Sequence, residues 1–238
     1  MSALPLGLDE PRIIRVIDLE TSGLPDDEGA EIVEVGFVDV LLDNLSIVRQ
    51  WSTLVKPSKP ITPKTMAVHH ITNEEVAEAP AFAQVMPYIS KGLSEHDLFC
   101  AHNAKFERHF LSMFGHRWVC THKSAMSIWP DFESHSNQAC RYELGLSLDK
   151  TLAEPPHRAL PDAYVTAHIL IECLKHRRAL DLVAITESPV LLRTVTFGKH
   201  RGKSYEELAR TDRGYLEWMS RQDMDEDVRH TVKHWLGR

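Results

Sequence analysis

RIIRVID, residues 12–18, is rich in β-branched side chains and predicts a β-strand near the start of the chain. Two similar stretches follow, IVEVGFVDVLL at 32–42 and LSIVRQWSTLV at 45–55, with the turn residues Asp43 and Asn44 between them. Three successive strands joined by short links predict an antiparallel meander. This part of the chain therefore predicts one half of a β-sheet.

The remaining sequence alternates short strands with helices. DLFCA at 97–101 and the segment 118–120 predict two further strands, and the longest amphipathic helix covers 159–176. Shorter helical patterns cover 63–69, 73–77, 81–90, 105–114, 123–128 and 138–144. This order predicts an α/β fold with a mixed sheet, three antiparallel strands and then parallel strands, flanked by helices.

The character of the sequence changes near residue 178. We predict an N-terminal tail at 1–11, a main domain at 12–178, a linker at 179–190 and a small C-terminal module at 191–238, with two short amphipathic helices in the module. About fifty residues are few for independent stability. We therefore expect the module either to lean on the main domain or to be loosely tethered to it.

Composition predicts a globular protein without a membrane span. Of 238 residues, 43% are hydrophobic, and no apolar run approaches the roughly 18 residues that a membrane span needs. The start of the sequence lacks the basic and apolar segments of a signal peptide, which favours a cytoplasmic location. The net charge of −7 is unfavourable for phosphate contacts but does not exclude a nuclease, because a metal site concentrates carboxylates.

The four cysteines do not form a CxxC pair and do not resemble a disulfide framework, which fits a reducing cytoplasm. Cys100 and Cys120 lie in apolar stretches and are predicted to be small core residues. A zinc site is the alternative. Its ligands would be Cys120, His122, His135 and Cys140. Their spacing matches no standard zinc finger.

Carboxylates occur at three places that suit a metal site. Asp18 and Glu20 are two apart at the end of a strand, so they share one face, and a cation would relieve their repulsion. Glu107 lies four residues after Asn103 on one helix face, and Asn103 also suits a helix cap. Asp162 lies in the first turns of the longest helix. The alternatives are an acidic strand end facing water and carboxylates favoured by helix dipoles.

The segments that carry these residues are IDLETSGL (17–24), AHNAKFE (101–107) and HRALPDA (157–163). In order and separation they resemble the three motifs of the DEDDh family, the proofreading-type exonucleases with an RNase H-like fold. The resemblance covers about 12–178. The stretches TFGKHRGK (196–203) and GYLEW (214–218) are similar to the C-terminal module of DNA-degrading members of that family.

The resemblance implies a metal-dependent 3′-5′ exonuclease that releases nucleoside 5′-monophosphates from single- or double-stranded DNA, with a role in DNA repair. Two divalent cations, Mg²⁺ or Mn²⁺, would activate water and stabilise the leaving 3′ oxygen. The implied cation ligands are Asp18, Glu20, Glu107 and Asp162. His157, in the loop before Asp162, would be the general base, although a plain surface histidine is the alternative.

The resemblance also implies residues that bind the nucleic acid. Those near the terminal nucleotide are Leu24, Met66, His69, Asn103 and Phe106. Those that would contact backbone phosphates are Lys199, Arg201 and Lys203. Each has a structural alternative: Leu24 could fold onto the core, Phe106 could pack its helix, and the basic stretch could be a solvated turn.

Glu107 departs from the family, which usually has aspartate at this position. Glutamate keeps the charge but adds a methylene, so activity is expected to be retained and altered. Three other functions remain open: an RNA exonuclease of the same superfamily, a binding protein whose site has lost catalysis, and a proofreading subunit of a polymerase. The last is less favoured because the tail lacks an evident disordered linker.

Overall fold

A computed structural model describes residues 10–237, so most of the predicted N-terminal tail, 1–11, lies outside the described residues. One five-stranded sheet forms the centre of the fold, with strand order β3-β2-β1-β4-β5. Its strands are β1 (Ile13–Thr21), β2 (Ile32–Leu41), β3 (Ser46–Leu54), β4 (Leu98–Ala101) and β5 (Trp118–Cys120). β1, β2 and β3 pair antiparallel, whereas β4 pairs parallel with β1 and with β5. The predicted mixed sheet is confirmed.

Helices flank this sheet, and the last three of the chain's described helices form the C-terminal module. In chain order the helices are α1 (Pro63–His69), α2 (Asn73–Val76), α3 (Phe82–Ser90), α4 (Ala104–Phe110), α5 (Thr121–Ile128), α6 (Asn137–Glu143), α7 (Lys150–Ala153), α8 (Ala159–His176), α9 (Ala179–Thr186), α10 (Tyr205–Thr211), α11 (Arg213–Met219) and α12 (Glu226–Leu236). The helix predicted to reach residue 114 ends at Phe110. A short 3₁₀ turn, Ser112–Phe114, follows it. Gly115 follows that turn in the left-handed conformation, which stops further helix.

Strand alternation divides the core into two faces. On β1, Val16 packs against α8, whereas Ile17 and Leu19 pack on the opposite side with α3 and α4. The same alternation carries Asp18 and Glu20 onto the α8 side at the end of the strand. The sequence period that builds the core therefore also directs two carboxylates toward the helix that carries Asp162.

The predicted linker at 179–190 is wrong over most of its length. Residues Ala179–Thr186 form α9, and Leu182 and Val183 are buried in the main core. The hydroxyl of Thr186 accepts a hydrogen bond of 2.8 Å from the backbone N–H of Cys120 on β5. An apolar helix face that covers a sheet edge is part of the domain, so the main domain extends past residue 178.

The C-terminal module has a core of its own, which includes Val195, Tyr205 and Leu208. It contains three helices instead of the predicted two, because the Asp212 side chain interrupts the run and caps α11 through the N–H of Tyr215. The module leans on the main domain through ion pairs between Lys105 and Asp225, at 2.5 Å, and between Lys123 and Asp227, at 3.1 Å.

The zinc alternative is wrong. Cys120 and Cys140 belong to cores on opposite faces of the sheet. The Nε2 atom of His135 lies 2.8 Å from the carbonyl of Trp129. Among residues 10–237, these side chains form no group close enough to share a metal ion. Within the same range, no helix has the length and apolar character needed to cross a bilayer.

Candidate active site

Three carboxylates meet where β1 ends and α8 begins. One carboxylate oxygen from each of Asp18, Glu20 and Asp162 lies within 4.8 Å of the others. The register of β1 against β2 shifts between Glu20 and Thr21, which marks a bulge or irregularity beside the acidic pair with the extra residue on β2. Bulges redirect side chains and are common beside active sites. The DxE pattern and the helix start thus converge in one cluster, as the sequence predicted.

Asp162 is held by its own loop. The backbone N–H of His157 donates a 2.6 Å hydrogen bond to Oδ2 of Asp162, and Nε2 of Gln138 donates a 3.3 Å bond to Oδ1. His157 has a positive φ of 61°, in the left-handed region that non-glycine residues seldom adopt. This bend turns its N–H toward the carboxylate, and the exposed imidazole is not one of the grouped ligands.

Glu107 approaches from the other side of β1. It lies on α4, is only 5% exposed, and its Oε2 atom has no hydrogen-bond partner among residues 10–237. Burial raises its pKa to about 8, and Glu20 adds to the effect. Glu107 is outside the group of three, but its charge raises the pKa of Asp18. A buried carboxylate oxygen without a partner fits a site that a cation or its water completes.

The cluster is electrostatically unfavourable by itself. Burial raises the pKa of Asp18 well above its usual range, and Glu107, Asp162 and Glu20 raise it further. Burial and then Asp162 raise the pKa of Glu20 to about 8. Burial also raises the pKa of Asp162. Clustered oxygen ligands of one sign suit hard divalent cations, so the residues present fit Mg²⁺ or Mn²⁺.

We expect the metal-free protein to lose stability as the pH rises toward 8. Between the ordinary pKa of 4.5 and about 8, folded Glu20 binds more protons than unfolded Glu20. The free energy of unfolding therefore falls with pH, and the effect is complete above the folded pKa. Chemical denaturation from about pH 5.5 to 8, with chelator and with saturating Mg²⁺, measures it. The cation should stabilise most at the upper end.

Glu20→Gln is the matched comparison, because it keeps the size of the side chain and removes the titration. The difference between the two metal-free proteins should grow in favour of Glu20→Gln as the pH rises. Each 1 kcal/mol of difference corresponds to roughly 2–4 °C in Tm for a chain of this size. A difference that does not change with pH would contradict the prediction.

A cavity of about 570 Å³ opens beside Glu20. Leu24, His69 and Phe106 line it, as does the loop that follows β1. Leu24 is 63% exposed, so the alternative that it folds onto the core is wrong. Phe106 is half-buried, lies 5.3 Å from the Phe110 ring, and so both packs its helix and borders the cavity. Three of the five predicted nucleotide contacts therefore share one space.

The other two lie elsewhere. Met66 packs on a small apolar cluster with Ile61 and Ile71 and does not line this cavity. Asn103 precedes α4 but makes no side-chain capping bond, and it borders a second cavity that Arg108 and Lys123 also line. Asn103 and Phe106 therefore border different cavities, a separation that the motif by itself does not reveal.

The basic C-terminal stretch is less free than its sequence indicates. Lys199 pairs with Asp212 at 3.1 Å, and Lys203 pairs with Glu207 at 3.3 Å. Both acids come from α10 or its C-terminal end. Arg201 is exposed and has no ion pair with the described residues. Of the three predicted phosphate contacts, Arg201 is therefore the one whose charge is available.

Sequence reasoning missed a buried charged residue beside the site. Glu34 on β2 is 5% exposed and accepts two hydrogen bonds from the guanidinium of Arg158, at 3.0 and 2.7 Å. It also lies directly across from Glu20 in the β1–β2 register. A single charged residue within the apolar run IVEVGFV was the available signal, because strands of this character seldom bury an unpaired charge.

Fold and site together define a class: a nuclease with an RNase H-like sheet and a carboxylate cluster at the end of its first strand. Residues 16–170 match the family model described as "Exonuclease", and residues 195–223 match the model described as "Exodeoxyribonuclease X-like C-terminal". The chain belongs to this exonuclease family, whose members use divalent metal ions. The predicted enzyme class, a 3′-5′ exonuclease, is confirmed.

Individual relatives agree with this membership. Exodeoxyribonuclease 10 of Escherichia coli strain K12 is 38% identical over 228 residues, which cover 94% of this chain and 99% of that protein. The DNA polymerase III subunit epsilon of Treponema pallidum is 28% identical over 168 residues, covering 67% of this chain and 75% of that one.

Solved structures agree on the fold. Exonuclease X in complex with 5′-overhanging duplex DNA has a TM-score of 0.64 and 38% identity, and the match covers 73% of this chain and 99% of that one. The nuclease domain of 3′hExo, a DEDDh family member bound to rAMP, has a TM-score of 0.57 at 19% identity, covering 70% and 93%. The second likeness is a likeness of fold alone.

Proposed function

We propose that this protein removes nucleotides from DNA 3′ ends by hydrolysis that depends on two divalent cations. The observation that carries the proposal is the convergence of Asp18, Glu20 and Asp162 within 4.8 Å, with buried Glu107 beside them. Four carboxylates and two divalent cations balance in charge, so the phosphodiester enters a nearly neutral site.

Each residue of the proposed site has a separate role. Asp18, Glu20 and Asp162 would hold the cations directly, and Glu107 would complete the site from its buried side. When bound, the cations supply Lewis-acid stabilisation of the phosphate and its leaving oxygen. His157 takes a proton from the attacking water, for which an exposed imidazole beside the cluster is well placed. Leu24 and Phe106 hold the terminal base, which keeps the scissile bond over the cluster.

DNA is the proposed substrate for two reasons. The relative with 38% identity over nearly its whole length is an exodeoxyribonuclease, and the solved structure at the same identity is bound to a 5′-overhanging duplex. The cavity is lined by apolar side chains, Leu24, Val68 and Phe106, as well as by polar and charged residues, and the apolar part suits stacking on any base. Single and double strands with a 3′ end are both proposed substrates. Trimming of 3′ ends is a step in excision of damaged strands, so DNA repair is the proposed process.

Digestion of end-labelled oligonucleotides tests the proposal. DNA labelled at the 3′ end should release labelled mononucleotides at once, and matched DNA labelled at the 5′ end should shorten stepwise. Both reactions should need Mg²⁺ or Mn²⁺ and stop with chelator. Initial release from the 5′ end, or activity that persists in chelator, would refute it. Faster digestion of a matched RNA would favour the exoribonuclease alternative instead.

Glu107→Asp should keep activity and change its rate by no more than about 10-fold. The shorter carboxylate restores the residue usual in the family, but α4 holds its backbone at the distance that suits glutamate, and misplacements beyond roughly 0.5 Å already matter at such sites. Single-turnover rates measure the effect, with Glu107→Gln as the comparison that removes the charge. A rate for Glu107→Gln equal to the natural protein would exclude Glu107 from the metal site.

Arg201→Gln should reduce the salt dependence of DNA binding more than Lys199→Gln or Lys203→Gln. Each phosphate contact contributes about one unit to the slope of log K against log salt, and the two lysines are already ion-paired. Binding to a short duplex at several salt concentrations, with chelator present to prevent digestion, measures the slopes. Equal slopes in all four proteins would remove this stretch from the DNA interface.

A cytoplasmic location is proposed from the thiols. Cys100, Cys120, Cys140 and Cys173 are all free and buried. Burial raises the pKa of each thiol, which makes it a poor nucleophile. Unreactive single cysteines without a disulfide are usual in a reducing compartment.

A further inference from the structure

We propose that Glu34 is a positioning residue that locks the loop of His157 and the start of α8 onto the strand beside the metal-binding carboxylates. The proposal rests on the proposed function, in which the carboxylate cluster binds the cations. It stands on a set of hydrogen bonds and a close backbone contact, all of which involve β2 and the junction at Arg158–Ala159.

Glu34 makes three bonds to this junction. Its Oε2 accepts from Nε of Arg158 at 3.0 Å and from the backbone N–H of Ala159 at 3.0 Å, and its Oε1 accepts from Nη2 of Arg158 at 2.7 Å. Paired Arg–carboxylate bonds fix orientation as well as distance. Both the side chain and the backbone at the first turn of α8 are therefore held by one carboxylate.

The N-terminus of α8 needs this partner. Arg158 occupies the capping position but forms no side-chain capping bond, so it offers the first N–H groups of the helix no side-chain acceptor. Glu34 supplies one from another strand. Asp162 lies on the first turn of the same helix, and its Oδ2 is bound by the N–H of His157, the residue before Arg158. A shift of this junction would move the metal ligand and the general base together.

Strand β2 is shaped to receive the helix at this point. A Cβ atom added to Gly36 would lie 2.4 Å from the backbone carbon of Ala159 and 2.4 Å from the nitrogen of Leu160. Only glycine allows this approach. Glu34 and Gly36 are two apart on the strand and so face α8 together. Gly36 permits the close contact with α8, and Glu34 holds the start of α8 there through hydrogen bonds.

The pairing also keeps a positive charge away from the metal site. Arg158 is near enough to Glu20 to lower its pKa. Glu34 holds the guanidinium on the β2 side. Without it, Arg158 would be free to pair with Glu20, directly across the strand pair from Glu34. A cationic side chain on a metal ligand competes with the metal.

Glu34→Gln is the direct test, because it keeps size and removes the charge. We expect a kcat lower by about 10- to 100-fold with little change in KM, and Mn²⁺ binding by calorimetry, without DNA, weaker by a similar factor. Such losses are typical when the group that orients a metal ligand is removed. The double variant Glu34→Gln/Arg158→Gln should be no worse than Glu34→Gln alone, because the two residues act as one unit.

Asp39→Asn is the matched control. Asp39 lies on the same strand and binds Arg15 through two bonds of 2.7 Å. This Arg–carboxylate pair is five residues away and on the opposite face, and its carboxylate is as buried as that of Glu34, although Arg15 is more buried than Arg158. Its loss should lower Tm but leave kcat and Mn²⁺ affinity unchanged for the folded fraction. If Glu34→Gln behaves like Asp39→Asn, or matches the natural protein within 2-fold in both kcat and Mn²⁺ affinity, the proposal is overturned.

Two further measurements keep the outcome decisive. Arg158→Gln replaces a side chain that is one-third exposed, so it tests the same pair if Glu34→Gln does not fold, and an unchanged kcat and Mn²⁺ affinity there would also overturn the proposal. The natural protein and Asp18→Asn run in parallel. If the natural protein releases no nucleotides, the proposed function fails, whereas the calorimetric comparison still decides the role of Glu34.

Discussion

Asp18→Asn is expected to reduce nucleotide release by about 10²–10³-fold or more and, at the same time, to stabilise the metal-free protein. Both effects have one cause. The ionised form of Asp18 is disfavoured by several neighbours at once, since burial, Glu107, Asp162 and Glu20 all raise its pKa. Asparagine removes the charge that a cation needs and also the repulsion that folding has to overcome.

The measurement combines two assays on one preparation. Single-turnover digestion of 3′-labelled DNA gives the rate, and denaturation with chelator near pH 8 gives the free energy of unfolding, which should rise by at least ~1 kcal/mol. The control is Asp43→Asn, the same change at an exposed turn. A variant that is both inactive and less stable than the natural protein would mean that Asp18 serves the fold and not a metal site.

The second large effect is expected for His157→Gln. A general base typically contributes about 10²–10⁴-fold to the rate, so kcat should fall by this range while Mn²⁺ binding stays within about 2-fold. The reason is geometric: His157 contacts the cluster through its backbone N–H, which binds Asp162 and which glutamine retains. The imidazole itself is exposed and is not among the grouped ligands.

Rates and calorimetry with His157→Gln separate the two roles. His176→Gln, at the exposed far end of α8, is the control for loss of a histidine. Loss of Mn²⁺ binding together with activity would assign His157 to holding the loop or the metal instead of moving a proton. Full activity would make it the plain surface histidine that the sequence left open.

Local patterns predicted most of the secondary structure. Hydrophobic periods of two and of 3.6 residues can be recognised within a short stretch of sequence. They predicted the strand that begins at Ile13, the helices at 63–69 and 159–176, and the mixed sheet. The same periods placed Asp18 and Glu20 on one face. Errors fell where a local pattern was ambiguous: the apolar segment 179–186 is a helix of the main core and not a linker.

The sequence by itself determined which groups we propose for the chemistry, because Asp18, Glu20 and Asp162 are a matter of residue type and spacing. Only the tertiary structure decided what surrounds them. The ion pair of Glu34 with Arg158 joins residues 124 apart in the sequence. Asp212 pairs with Lys199, whose charge looks unpaired in the sequence alone. Burial leaves an oxygen of Glu107 without a partner. Such contacts depend on which distant segments pack together, and no local period encodes that.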